Sequence, residues 1–292
     1  MVEQFLNYLR YERNRSELTV LRYQKSLGEF EIYFKGVDEV LTWATVDADV
    51  IRGWMETMMD KGMKATSVNA DLAAVRTFYR FALSRRMVDH DPAHHVLGPK
   101  KDKPLPQFLK ESEMDELLDE MEWGNDYKDV RARTIILLFY ETGLRRAELR
   151  DLDDADIDFT ARQLKVTGKR DKQRIIPFGD EVESTLRHYM EVRDQTVEKR
   201  SDALFLNSKG ERITTGIIYN EVRKHLSRVS TLKKRSPHVL RHTFATALLN
   251  HQADLESVRK MLGHESLETT EIYTHTTFEQ LRRVYKEAHP RG

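Results

Sequence analysis

The chain has no cysteine among its 292 residues, which excludes disulfide bridges, thiolate nucleophiles and cysteine-ligated zinc. No apolar run approaches the ~20 residues of a membrane span. The stretch from Met1 to Arg10 lacks the basic segment, apolar core and cleavage site of a secretory signal. Both absences lead us to expect a soluble, cytoplasmic protein. Net charge is missing too, with 48 Lys+Arg balancing 48 Asp+Glu. Because a phosphate-binding surface usually shows as a basic excess, the total alone disfavours a nucleic-acid partner. What is present, 39% hydrophobic and 33% charged residues, suits a globular chain long enough for two domains.

Proline is scarce, seven in all, and Pro92, Pro99, Pro104 and Pro106 fall in one short stretch with Gly98 and the basic residues Lys100, Lys101 and Lys103. Proline fixes the backbone without continuing a helix, so 91–107 reads as an extended linker between a domain at 1–90 and another at 108–292. Before it, helical periodicity predicts four helices, roughly 2–13, 17–34, 46–61 and 64–85, with breaks at Gly36 and Gly62. After it, 111–122 reads as an acidic amphipathic helix, and Thr134–Tyr140 as a buried helix ending at Gly143. Two β-like runs, Gln163–Val166 and Arg174–Pro177, flank a polar turn. Further helices are expected near 180–198, 215–229, 239–250, 254–262 and 278–288. The fold class is therefore mainly α with a small β-sheet: a helical bundle followed by an α+β domain.

Resolved along the chain, the charge is segregated rather than absent. Glu111–Val130 holds nine acids and one base, and Asp151–Asp158 holds five acids and no base. Arg162–Arg174 holds six bases and one acid, and Glu221–Arg241 seven bases and one acid. A basic block alone is often only a solvated face. Two of them beside reactive residue types point to a polyanion.

Four short elements carry that chemistry. In Ser236–Thr246, Pro237 marks a helix start, and His238 and Arg241 lie three apart on one face, pairing a proton-exchanging imidazole with a phosphate-forking guanidinium. In Thr142–Leu149, a glycine closes the buried helix, Arg145 stands at its edge, and Glu148 is placed to orient a neighbouring cation. Leu262-Gly263-His264 puts a histidine just past a helix end, and Ile272-Tyr273-Thr274-His275 supplies a tyrosine. Lys169 sits at the hairpin tip. Each is unremarkable alone: a surface HxxR pair, a helix junction, a loop lysine, a half-buried tyrosine.

Their order is distinctive. Arg145, Lys169, His238, Arg241, His264 and Tyr273 resemble, in sequence and local context, the active-site set of the tyrosine recombinases, specifically the Xer and phage-integrase branch. The likeness extends through Thr-Gly-Leu-Arg with Glu148, Gly168-Lys169 followed by Arg174-Ile175-Ile176-Pro177, and His238–Thr246. It continues in Leu262-Gly263-His264, Thr269–Tyr273 and Ala288-His289-Pro290-Arg291. The resemblance covers nearly the whole chain, the bundle matching the family's core-binding domain. It departs where the fourth helix carries Ala70 and Asp71 in place of basic residues, and where Arg146 replaces a more usual apolar residue.

The resemblance implies a site-specific recombinase that cuts and rejoins DNA without metal, cofactor or ATP, for dimer resolution or mobile-element movement. Tyr273 would attack a phosphodiester to give a 3′-phosphotyrosyl link and a 5′-hydroxyl. Arg145 and Arg241 would clamp the non-bridging oxygens, Lys169 would protonate the leaving oxygen, and His238 would exchange a proton with Tyr273. His264 would add a phosphate hydrogen bond, with Glu148 supporting from behind. Expected DNA contacts are Lys64, Arg76, Arg80, Lys100, Lys101, Arg170, Lys172, Arg174, Lys233, Lys234 and Arg235. Partners would be double-stranded DNA sites held by a homo-tetramer, or by a hetero-tetramer with a second recombinase, each protomer a C-shaped clamp. An apolar face of Phe278, Leu281, Val284, Tyr285 and Ala288 would dock a last helix on a neighbouring protomer or on its own domain. Three other readings stand beside this one: a metal hydrolase built on His238, His242, His264 and His275, a non-catalytic DNA-binding regulator, and a type IB topoisomerase.

Overall fold

The computed structural model describes residues 1–101, 107–168, 172–263 and 283–291. It divides into two compact units, Met1–Pro104 and Leu105–Gly292. The first is a bundle of α1 (Val2–Asn7, continued by a wider π-type turn over Tyr8–Glu12), α2 (Glu17–Val37), α3 (Ala48–Asp60) and α4 (Ala65–Ser84). α3 begins where the Asp47 carboxylate accepts the backbone N–H groups of Asp49 and Val50, satisfying donors with no partner inside the helix. It buries Ile51, Trp54, Met55 and Met58, the spacing of one helical face. Trp43 packs into the bundle core, its ring 4.5 Å from Phe78 and 5.2 Å from Phe34.

Two sequence expectations for this unit need correction. Gly36 does not end a helix, since α2 runs on to Val37. Residues 91–99 are not free linker, because Ala93 and Val96 are buried in the bundle core. Arg76 donates to the carbonyls of both, and the Asn69 amide donates to the Pro99 carbonyl at 2.8 Å. Asp71, where the fourth helix departs from the basic residues of the resembled family, is buried and accepts from the Ser26 hydroxyl at 2.7 Å. It ties α4 to α2.

The second unit is organised around α6 (Tyr127–Thr142), which follows α5 (Glu111–Asp115) and a π-type turn over Glu116–Glu120. α6 is buried on nearly every side. The hydroxyls of Thr134 and Thr142 donate to carbonyls one turn back, so both polar side chains are satisfied. After α7 (Arg146–Asp151) come β1 (Ile157–Asp158), β2 (Gln163–Thr167) and β3 (Gln173–Pro177), an antiparallel sheet in that order. Leu164 pairs with Ile176 and Val166 with Arg174. α8 (Asp180–Thr196), α9 (Thr215–Val229), α10 (Pro237–Asn250) and α11 (Leu255–Leu262) complete the unit, with α8 and α10 packed on α6.

A terminal helix spans 283–288. Tyr285 and Ala288 are buried with Phe244, Leu248, Val258, Met261 and Leu262. The Tyr285 hydroxyl donates to the buried Glu141 carboxylate, and Arg291 is held by Asp115, Asp119 and Glu181. The described part of this apolar face thus packs on its own domain. Phe278 and Leu281 lie outside the described residues.

Candidate active site

α6 ends on Gly143, whose φ of +60° is left-handed, a conformation that glycine adopts without steric cost. The turn buries Leu144 and brings Arg145 to the position just before α7, with Glu148 three residues on. That spacing lets the Glu148 carboxylate accept the Arg145 backbone N–H at 2.8 Å and its guanidinium at 2.7 Å. From the other side, Arg174 donates both terminal nitrogens to Glu148 at 2.8 Å each. One buried carboxylate therefore orients two arginines. Burial pushes the Glu148 pKa up, but hydrogen bonds and charge from Arg174, then Arg145, outweigh it and hold the group at about 2.

The end of α11 gathers the arginines. Arg174 Nε donates to the Met261 carbonyl at 3.0 Å, Arg241 Nη2 to Leu262 at 2.6 Å, and Arg145 Nη2 to Gly263 at 2.8 Å. The last carbonyls of a helix have no partner within it and carry the negative end of its dipole, so they suit guanidinium groups. Arg241 Nη1 also donates to the Gly143 carbonyl, tying the end of α6 to the end of α11. Burial first, then the positive charge of Arg145, brings the Arg241 pKa down to about 10. Two cations held this way on backbone carbonyls repel each other until an anion bridges them.

Pro237 opens α10, and Ser236, Pro237 and His238 reach a cavity of about 540 Å³ at its start. His238 is exposed, and its pKa lies below the usual imidazole value through partial burial and the charges of Arg146, Arg241, His242 and Arg145. The structure brings Arg145, Glu148, Arg241 and His238 into one region. Lys169, Arg170, His264, His275 and Tyr273 lie outside the described residues.

The cations expected on DNA divide. Lys64, Arg80, Lys100, Lys101, Lys172, Lys233 and Lys234 are exposed, and Arg235 is half-buried with Nε on the Leu232 carbonyl. Arg174 is a correction: it is buried and pairs with Glu148, so it orients the site from within instead of presenting charge to a duplex. The period-two alternation of β3 already puts Arg174 on the inward face with Ile176. Arg76 is likewise engaged, on the carbonyls of Ala93 and Val96. Among the described residues, no cluster of three or more His, Asp or Glu could hold a metal ion.

Gly143→Ala tests the junction. An added Cβ would stand 2.5 Å from the Phe244 ring and 2.9 Å from Leu262, in a left-handed conformation that costs roughly 1–2 kcal/mol by itself. We expect a lower melting temperature and slower catalysis, because the carbonyl that holds Arg241 must move.

Residues 107–280 match the phage integrase family, and residues 2–86 match the phage integrase N-terminal SAM-like domain. The tyrosine recombinase XerC of Staphylococcus aureus strain JH9 is 40% identical, over 99% of this chain and 96% of its own. The tyrosine recombinase XerD of Oceanobacillus iheyensis is 35% identical, over 100% and 98%. Among solved structures, the XerH site-specific recombinase bound to a palindromic difH substrate shares the fold. It is 24% identical with a TM-score of 0.71, over 97% of this chain and 83% of that one.

Proposed function

This chain belongs to the phage integrase family of tyrosine recombinases and is an Xer-type site-specific recombinase, and from that premise we propose how its own residues divide the work on DNA. Arg145 and Arg241 clamp the non-bridging oxygens of the scissile phosphate, stabilising the charge that builds as the phosphorus becomes five-coordinate. The observation that carries this is the shared scaffold: Arg145 and Arg241 are anchored on adjacent carbonyls, Gly263 and Leu262. Glu148 keeps Arg145 in place. Tyr273 is the nucleophile, His238 exchanges its proton, His264 adds a hydrogen bond, and Lys169 protonates the departing 5′-oxygen. The 3′-phosphotyrosyl link conserves the energy of the broken bond, so a second 5′-hydroxyl reseals it.

The substrate is double-stranded DNA, in keeping with the DNA bound in the XerH structure. We assign the protein to the cytoplasm and to a tetramer across two sites, built of one chain or of two. Exposed Lys64, Arg80, Lys100 and Lys101 on the first unit, and Lys172, Lys233 and Lys234 on the second, are the contacts we assign to the duplex backbone. The role of Lys169 is tested with a substituted leaving group. Lys169→Ala is expected to cleave ordinary DNA roughly 10²–10⁴-fold more slowly, the usual worth of general acid catalysis. A 5′-bridging phosphorothiolate, whose sulfur departs without a proton, is expected to restore the rate. Equal defects on both substrates would remove Lys169 from that role.

A further inference from the structure

Beside His238, the cavity at the start of α10 is lined by cations that the cleavage chemistry above leaves unused. Arg146, Arg223, Lys233, Lys234 and Arg235 border it together with Tyr219, and no carboxylate does. α9 places Tyr219 and Arg223 four residues apart, on one face of the helix. Among the described residues, none of these five cations forms an ion pair, whereas Arg145, Arg150, Arg162, Arg174, Arg193 and Arg212 all do. Glu221, the nearest acid along α9, is already taken by buried Arg131. A pocket of unpaired cations with an aromatic wall selects an anion that brings its own charge, and a DNA backbone phosphate fits.

We propose that Arg146 is a positioning residue for strand cleavage: with Arg223 and Tyr219 it holds a backbone phosphate neighbouring the scissile one, and so fixes which phosphodiester meets Arg145 and Arg241. This deepens the recombinase reading and rests on it. Arg146 follows Arg145 directly, so one junction places a clamp on the reacting phosphate and a second cation in the adjoining cavity. His238 borders the same cavity. The charges of Arg145 and Arg146 at the start of α7 and of Arg241 and His242 on α10 act on it, and it shares the cavity with Tyr219 and Arg223 of α9 and with Lys233, Lys234 and Arg235. Of the charges that depress its pKa, Arg146 acts most strongly. A phosphate seated on Arg146 cancels that charge and raises the affinity of His238 for a proton. Filling the neighbouring pocket therefore readies His238 to accept the proton of Tyr273, and an unoccupied pocket keeps it a weak base.

The test uses the full-length protein and nicked duplexes selected by the wild type from a random-sequence DNA pool. Each phosphate flanking the cleavage position is replaced in turn by a neutral methylphosphonate. At one flanking position the wild type is expected to lose about tenfold or more in binding and adduct formation, the usual worth of a charge-assisted hydrogen bond. R146Q should start with that loss, be insensitive to the same substitution, and show a salt slope lower by about 1. R146K should recover part of both. NMR titration should find His238 with a higher pKa in DNA-free R146Q than in DNA-free wild type, and DNA binding should raise the wild-type value. Methylphosphonate effects that are the same in wild type and R146Q, or a His238 titration untouched by the substitution, would overturn the proposal while leaving the recombinase reading intact. A wild type that forms no adduct on any selected duplex would overturn both.

Discussion

Arg241→Lys is expected to slow strand cleavage by roughly 10³-fold, the scale seen when a preorganised donor to a developing oxyanion is removed. The guanidinium is buried and donates in two directions, to Gly143 and to Leu262. A planar fork can meet two carbonyls and still turn its remaining in-plane N–H groups to a phosphate, whereas an ammonium on a flexible stem cannot hold that geometry. Lysine keeps the charge, so the comparison separates charge from shape. Arg241→Ala should cost at least as much activity and also lower the melting temperature, because it leaves two buried carbonyls without donors. Single-turnover cleavage of a nicked duplex, with thermal melting in parallel, measures both. A lysine variant within tenfold of wild type would mean that Arg241 serves mainly to join α6 to α11.

The second large effect falls on Glu148. Removing one partner from a buried, hydrogen-bonded ion pair costs about 3–5 kcal/mol, because the remaining charge stays desolvated. Glu148→Ala leaves the buried Arg174 guanidinium without its carboxylate and Arg145 held only by the Gly263 carbonyl, so we expect a fall in melting temperature on the order of 10 °C together with loss of cleavage. The pH dependence has a definite sign. The folded-state pKa of about 2 lies below the ordinary glutamate value of 4.5, so this stabilisation is present above pH 4.5 and disappears as the pH falls toward 2. Urea unfolding from pH 7 to pH 3 should therefore show wild type converging on Glu148→Ala. A difference that stays constant over that range would mean the carboxylate charge is not what stabilises the junction.

Much of the architecture was legible because long periodic helices advertise themselves. α9 spans Thr215–Val229, the very range its apolar spacing indicates, and α6 ends at the glycine that the buried run points to. What escaped was whatever depends on partners distant in sequence. Ala93 and Val96 carry no periodicity, so nothing local shows that they pack under Arg76. Arg174 was grouped with a basic block because counting charge ignores which face of a strand each residue occupies. Asp71 departs from the family's basic residues for a reason 45 positions away, the Ser26 hydroxyl that donates to it.

The balance of charge has a structural explanation of the same kind. Most acids of 151–158 and several of 111–122 are answered within their own unit. Asp115 and Asp119 hold Arg291, Asp153 holds Arg212, and Asp154 holds Arg193 and Lys199. The cations around the cavity beside His238 have no such answer among the described residues. Zero net charge is compatible with local basic surface because acids and bases cancel in ion pairs elsewhere in the fold, while the cations around that cavity form none among the described residues.

Covalent cleavage by Tyr273 is tested by trapping the intermediate. A duplex nicked next to the cleavage position loses its short 5′-hydroxyl fragment after attack, so the protein–DNA link cannot reseal. Incubated in EDTA, the wild type is expected to yield a 3′-linked adduct that survives denaturation, with the DNA on the peptide containing Tyr273, and Tyr273→Phe is expected to yield none. An adduct that persists in Tyr273→Phe, or cleavage that stops when divalent metal is removed, would contradict the account.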